Sequence, residues 1–237
     1  MARLIGWLVF LAILAGAYLF ARDYVRRHPQ DVPWTRLELD DPIGKFTGRK
    51  LAELTDEPAQ CRALLQRAGV DLAAAPARRD GPNCGYADGV RLSPEGLQFQ
   101  PRPPVTSCPV AAAVMLLEER VIQPASLQHF GRRVAAVRHL GSYSCRRLYG
   151  RDEGGFSEHA TADAIDISGF TLEDGRTVSV LQDWNDDSPE AAFLRDVRDG
   201  ACGLFATVLS PDYNAAHNDH LHLDQAERGA MGFRVCS

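Results

Sequence analysis

The rhythm of apolar and polar positions changes three times along this chain. From Leu4 to Ala21, eighteen consecutive residues carry no charge, between Arg3 and Arg22. That is long enough for a helix to cross a hydrocarbon layer, and long for the apolar centre of a signal peptide. Residues 1–27 are therefore expected to be a membrane anchor or a signal segment. The anchor is favoured, because Tyr18, Leu19 and Phe20 carry the apolar run past the small-x-small pattern Ala15-Gly16-Ala17. Residues 28–38, with Pro29 and Pro33, read as a linker.

Beyond the linker the spacing becomes helical. Thr55 or Asp56 is placed to cap a helix with Pro58 in its first turn, and Cys61, Leu64, Leu65 and Ala68 share one face before Gly69 stops it. Residues 74–105 are rich in Pro, Gly and Asp and read as loops, with short strands around Val90–Leu92 and Leu97–Phe99. The Ala, Val, Met and Leu content from Pro109 to about Glu119 predicts a buried helix.

The last hundred residues shift towards the two-residue period of strands. Strands are expected over Val134–His139, from Gly141 to Cys145, over Ala164–Phe170, Leu204–Leu209 and His220–Leu223. Glu173-Asp174-Gly175 is a turn into Thr177–Leu181, which reads as a hairpin. Ser188-Pro189 opens a helix to about Asp199, stopped by Gly200, with Phe193, Leu194 and Val197 on its inner face. No internal repeat is visible. The expected fold is α+β: residues 39–237 form one domain with a small antiparallel sheet flanked by helices, behind an N-terminal membrane helix.

Composition adds the compartment. Apolar residues make up 45% of the chain and charged residues 24%, as in ordinary globular domains. With a net charge of −5 and no basic run beyond Arg22, Arg26 and Arg27, no nucleic-acid partner is expected. Those arginines outnumber Arg3, so the positive-inside rule alone would favour a cytoplasmic domain. The cysteines point the other way. Cys61, Cys84, Cys108, Cys145, Cys202 and Cys236 form no C-x-x-C pair, and an even number behind a secretory-type segment predicts disulfides in an oxidising compartment. The domain is therefore expected in the periplasm, held to the inner membrane by residues 4–21, or soluble there after cleavage. Six cysteines allow fifteen pairings; nearest neighbours, Cys61 with Cys84 and Cys202 with Cys236, are the simplest choice.

Candidate chemistry gathers in two segments, SEHATADAID from Ser157 and HNDHLHLD from His217. A lone histidine is more often structural than functional, but four of the seven lie in these two stretches. A catalytic zinc takes three His or carboxylate ligands and leaves a position open, and His159, Asp166 and His222 fit that need. In an extended strand His220, His222 and Asp224 share a face, opposite Leu221 and Leu223. His220 is the expected acid-base group, because imidazole titrates near neutral pH. A fourth ligand or a ligand-orienting group is the competing role for it. Asp219 and Asp224 are candidates to orient metal-bound imidazoles, and His217 to contact substrate.

The pattern H-x6-D (His159, Asp166) followed by H-x-H (His220, His222) resembles the lysostaphin, D-Ala-D-Ala peptidase and hedgehog-like group of zinc folds. The run His217, His220, His222 is similar to that of penicillin-insensitive murein endopeptidases. A closer match is the bacterial extensin-like C-terminal domain family, through SYSCRR, SEHATADAIDI, FLRDVRDGAC and PDYNAAHNDHLHLD at Ser142, Ser157, Phe193 and Pro211. The resemblance spans roughly Leu39 to Ser237. It implies zinc on His159, Asp166 and His222, a hydrogen bond near the metal or a cap of the loop for Ser157 as in the family's S-x-H, and Arg146 steadying a substrate carbonyl or the oxyanion. The Glu-x-Trp-His motif of the dipeptidase branch is missing, and Asp219 stands in place of its Glu. The implied function is a zinc metallopeptidase acting on peptidoglycan stem peptides, first of all a DD-endopeptidase of D-Ala crosslinks. Carboxypeptidase and LD-endopeptidase activities would share the site, and an inactive zinc-containing peptidoglycan-binding module is the alternative class. The fourteen prolines form no repeat, so a fibrous wall protein is not expected.

Overall fold

The computed structural model describes residues 1–92, 98–228 and 233–237. Its first element, α1 (Ala2–Arg27), has no buried residue and a mean hydropathy of 2.3 over its most apolar stretch. An apolar helix with no protein to cover it fits a signal segment or a membrane anchor. The residues read as a linker fold back on the first helix of the domain. Pro29–Asp31 makes a 3-10 turn, Val32 and Leu39 are buried, and the buried Lys50 donates to Pro29 O at 2.9 Å and to Thr35 Oγ1 at 2.7 Å.

The domain begins with two helices, α2 (Thr47–Ala52) and α3 (Pro58–Arg67). The cap of α3 is Glu57 rather than Thr55 or Asp56, which belong to a 3-10 turn over Glu53–Asp56. Pro58 fixes the start one residue later, because its ring presets the first helical φ. Short strands β1 (Leu72–Ala74), β2 (Arg78–Gly81), β3 (Cys84–Tyr86), β4 (Val90–Leu92) and β5 (Gln98–Gln100) come next. Of the strand expected over Leu97–Phe99, Leu97 lies outside the described residues.

The central helix is α4 (Cys108–Leu117), capped by Ser107, whose Oγ accepts from Val110 N at 3.3 Å. Nine of its ten residues are buried, as a helix apolar all round must be. Beyond the expected end the chain widens into a π-type turn, Glu118–Ile122, and continues as α5 (Gln123–Phe130). Pro124 explains the widening: it offers no N–H and its ring would collide with the carbonyl four residues earlier.

The second half of the chain contains β6 (Val134–Gly141), β7 (Ala164–Leu172) and β8 (Thr177–Ser179), then α6 (Val180–Asp183), α7 (Pro189–Ala201), β9 (Thr207–Leu209), β10 (Leu221–Asp224) and β11 (Val235–Cys236). The fold is α+β, as expected. Among the described residues its main sheet has seven strands in the order β11-β9-β10-β7-β6-β5, with β8 also on β7. The centre is antiparallel, but β5 runs parallel to β6 and β11 parallel to β9. The expected small antiparallel sheet is met at the centre and corrected at both edges. From β5 the chain crosses over through α4 and α5 before reaching β6, and such a crossover brings a strand in parallel. The strand expected over Gly141–Cys145 is also absent, because β6 ends at Gly141. Phe170 of β7 and Phe193 of α7 meet edge to face at 5.1 Å in the core between sheet and helices.

Three disulfides close the domain: Cys61–Cys108, Cys84–Cys145 and Cys202–Cys236. The last is the nearest-neighbour pair; the pairing of Cys61 with Cys84 is overturned. The packing of α3 on α4 sets Cys61 against the first residue of α4, which leaves Cys84, on β3, to meet Cys145.

Candidate metal centre

Strand register builds two thirds of the site. His222 of β10 lies directly opposite Asp166 of β7 in an antiparallel pair, and directly opposed residues point to the same face. Their neighbours Leu221, Leu223, Ile165 and Ile167 are all buried in the core, which fixes the register and so the polar pair. The third member comes from the loop between β6 and β7. His159 sits in the 3-10 turn Glu158–Thr161, where Ser157 Oγ accepts from His159 N at 3.4 Å. Ser144 N donates to His159 O at 2.9 Å and holds the turn against the stretch of chain after β6.

The three side chains converge closely. His159 Nε2 lies 3.1 Å from His222 Nδ1 and 3.2 Å from Asp166 Oδ1, and His222 Nδ1 lies 3.0 Å from Asp166 Oδ1. A tetrahedral zinc with ligands at about 2.1 Å would separate them by about 3.4 Å. The outer nitrogens have partners of their own. His159 Nδ1 meets Ser142 O at 2.5 Å, and His222 Nε2 meets Asp224 Oδ2 at 2.9 Å. A carbonyl and a carboxylate can only accept, so both outer nitrogens carry the hydrogen and the neutral rings turn lone pairs inward. Two lone pairs and a carboxylate oxygen within hydrogen-bond distance of one another repel unless a metal ion or a proton lies between them. The donor set fits a divalent metal of zinc type.

The same field acts on protons. Burial pushes the His222 imidazole down, but its hydrogen bonds to Asp166 and Asp224 outweigh burial and bring it up to about 9. Burial raises the Asp166 carboxyl, while hydrogen bonds from His159 and His222 overcome this and hold it well below the usual carboxylate range. Asp166 is therefore an anion, and in the absence of metal a proton on His222 balances it.

Around this centre stand the other expected residues. His220 lies one residue before β10, yet its Nε2 is 3.5 Å from Asp166 Oδ1 while its Nδ1 meets Asp219 Oδ1 at 2.7 Å. Asp219 thus contacts His220 and not a member of the three-residue cluster, whereas Asp224 contacts His222. His217 is buried, and its Nδ1 meets Asn214 Oδ1 at 2.8 Å. Burial first, then the positive fields of His220 and His222, take its pKa down to about 4. The Arg146 guanidinium is half exposed, with Nη2 4.0 Å from Asp166 Oδ2.

Two contributors escape sequence reasoning. Ser142 acts through its backbone carbonyl, which leaves no residue-type signature. Tyr149 occupies a left-handed backbone conformation at φ 59°, and its hydroxyl lies 3.4 Å from that of Tyr213, whose ring packs 5.6 Å from His217. An aromatic side chain in that backbone region is the signal a structure offers and a sequence does not.

The fold and the cluster define an α+β domain with a buried two-histidine, one-aspartate centre, two of its members on the paired strands β7 and β10 and the third on the turn before β7. The chain matches the family described as extensin-like protein C-terminus over residues 59–237 and belongs to it. No match was found among curated proteins or among solved structures.

Proposed function

We propose that this chain is a periplasmic zinc metallopeptidase that cleaves peptidoglycan stem peptides, with the D-Ala crosslink as its first target, and that α1 anchors it in the inner membrane. The observation that carries the reading is the meeting of His159 Nε2, Asp166 Oδ1 and His222 Nδ1 within 3.2 Å, with both outer ring nitrogens tied to acceptors. Zinc held there supplies Lewis acidity, polarising a scissile carbonyl and acidifying a water. His220 does the proton work. Asp219 Oδ1 holds its Nδ1 at 2.7 Å and so turns Nε2 towards the centre, where it takes the proton of the attacking water and delivers it to the leaving amine. The water oxygen bonds to the carbonyl carbon as the C–N bond breaks. Arg146, beside Asp166 and open to solvent, offsets the negative charge that grows on the carbonyl oxygen. His217, whose pKa is lowered to about 4, keeps an uncharged imidazole beside His220 and His222 at physiological pH.

The test is digestion of purified sacculi by the wild-type and His220→Ala proteins, with released muropeptides identified by mass spectrometry. The DD-endopeptidase reading expects crosslinked dimers to fall to monomers. It expects His220→Ala to lose about 10²-fold or more in rate, the usual range for a removed acid-base group, with its zinc retained. Release of free D-Ala alone would make the activity a carboxypeptidase. Zinc-replete wild type that binds sacculi and releases nothing between about pH 5 and 9, a span that includes the range over which imidazole titrates, would make the domain a binding module.

A further inference from the structure

A groove of about 930 Å³ lies against the 3-10 turn that carries His159. Its walls are the β2–β3 hairpin and the chain from Arg147 to Thr161, and none of His159, Asp166 and His222 lines it. Its size is at the upper end of pockets that enclose drug-sized ligands, enough for a short peptide segment. Its charge leans positive, even with Arg78 paired to Asp80. Arg78, Arg79 and Arg147 line it, with Glu158 as the opposing carboxylate.

Two of these cations are held in place before any ligand arrives. The Arg147 guanidinium stacks on Phe156 at 4.4 Å and hydrogen-bonds Gly154 O; that of Arg78 stacks on Tyr143 at 4.4 Å and pairs with Asp80. Stacking fixes the plane of the guanidinium and leaves N–H edges free to grip a carboxylate. Arg79 is exposed and enters no ion pair among the described residues. The Cys84–Cys145 disulfide ties the hairpin to the segment whose Ser142 carbonyl orients His159, so the groove wall and the metal turn form one braced unit. A rigid, cationic groove loses little entropy on binding and selects an anionic partner.

We infer that this groove binds a carboxylate-bearing peptide strand, and that in a crosslinked substrate it holds the stem peptide on the far side of the scissile bond. The identity of the peptide rests on the peptidase reading. The carboxylate selectivity rests on the groove alone. An endopeptidase must grip chain on both sides of the bond it cuts, and the groove supplies the second grip one turn of chain from the metal ligands.

The probe is a crosslinked muropeptide dimer, used intact and with its carboxylates amidated. Its dissociation constant is measured with the full-length protein in detergent, in a His220→Ala background so that turnover does not consume it. The intact dimer is expected to bind at least tenfold tighter than the amidated one. Arg79→Glu should weaken the intact dimer tenfold or more, Arg79→Ala by less, and both should leave the amidated dimer within twofold, a coupling that a merely structural effect does not produce. Equal binding of the two dimers, or an equal loss for both in Arg79→Glu and Arg79→Ala, overturns the inference. Failure of the peptidase reading has a different signature: wild-type protein that cleaves no dimer while the carboxylate-dependent difference in binding persists.

Discussion

Asp224 touches the centre only through His222, accepting from Nε2 at 2.9 Å, and so sets which nitrogen of that ring is left for a metal. Groups in that position typically account for 10- to 100-fold in metal affinity. Asp224→Asn is therefore expected to weaken zinc binding by about 10- to 100-fold, measured by competition with a chelator, without abolishing it. An unchanged affinity would mean that the Asp224 contact does not orient the ring. At this scale much was legible. The convergence of His159, Asp166 and His222 could be expected because metal sites of zinc type draw on few residue types, and because alternation along a strand separates His222 from its leucine neighbours. Asp219 could not be told from Asp224, since both flank histidines in the sequence; only the register of β10 shows that one serves His220 and the other His222. The Ser142 carbonyl and the Tyr149 conformation have no counterpart in residue type at all.

The elements that hold these residues meet at a buried acid. Asp163, just before β7, pairs with the hydroxyl of Ser107, the cap of α4, and its own carbonyl accepts from Gln225 N at 3.1 Å after β10. Burial raises its carboxyl from 3.8 to about 8, against the lowering effect of the Ser107 hydrogen bond. The folded state thus keeps a proton that the unfolded chain releases near pH 4. Asp163 stabilises the fold fully below that pH, and its contribution declines as pH rises towards about 8. Asp163→Asn, which does not ionise, should flatten the decline of stability between those limits by on the order of 1 kcal/mol per pH unit, as read from denaturant unfolding at several pH values. Parallel curves for the two proteins would show that Asp163 does not hold its proton. Element types were readable where period and punctuation agreed: α3, α7 with its Ser188 cap, β6 and β7 all fall close to their expected places. What was missed depends on contacts distant in sequence. The α5 helix comes after a wide turn that local propensity does not announce, and β11, two residues long, exists only because β9 is there to pair with it.

The whole molecule is closed by three crosslinks spanning 47, 61 and 34 residues. Non-reducing peptide mapping should recover Cys61–Cys108, Cys84–Cys145 and Cys202–Cys236 with no free thiol, and loss of a native bridge in a secreted domain costs about 2–5 kcal/mol. Four or more free thiols in cell-derived protein would place the domain in a reducing compartment and rule out the proposed peptidoglycan substrate. Sequence could supply the even count, with which the three bridges agree, but not the pairing, because the packing of α3 on α4 is a property of the folded chain. The same holds for the groove beside His159, whose walls come from segments about 70 residues apart. All of these features bear on function only if the three converging side chains hold a metal. Elemental analysis of protein expressed in zinc-replete medium, wild type against His222→Ala, is the most direct measurement. About one zinc per wild-type chain and close to none in His222→Ala is the predicted result, in keeping with a site of three protein ligands. A wild-type chain without metal, or a His222→Ala chain with undiminished metal, would contradict it.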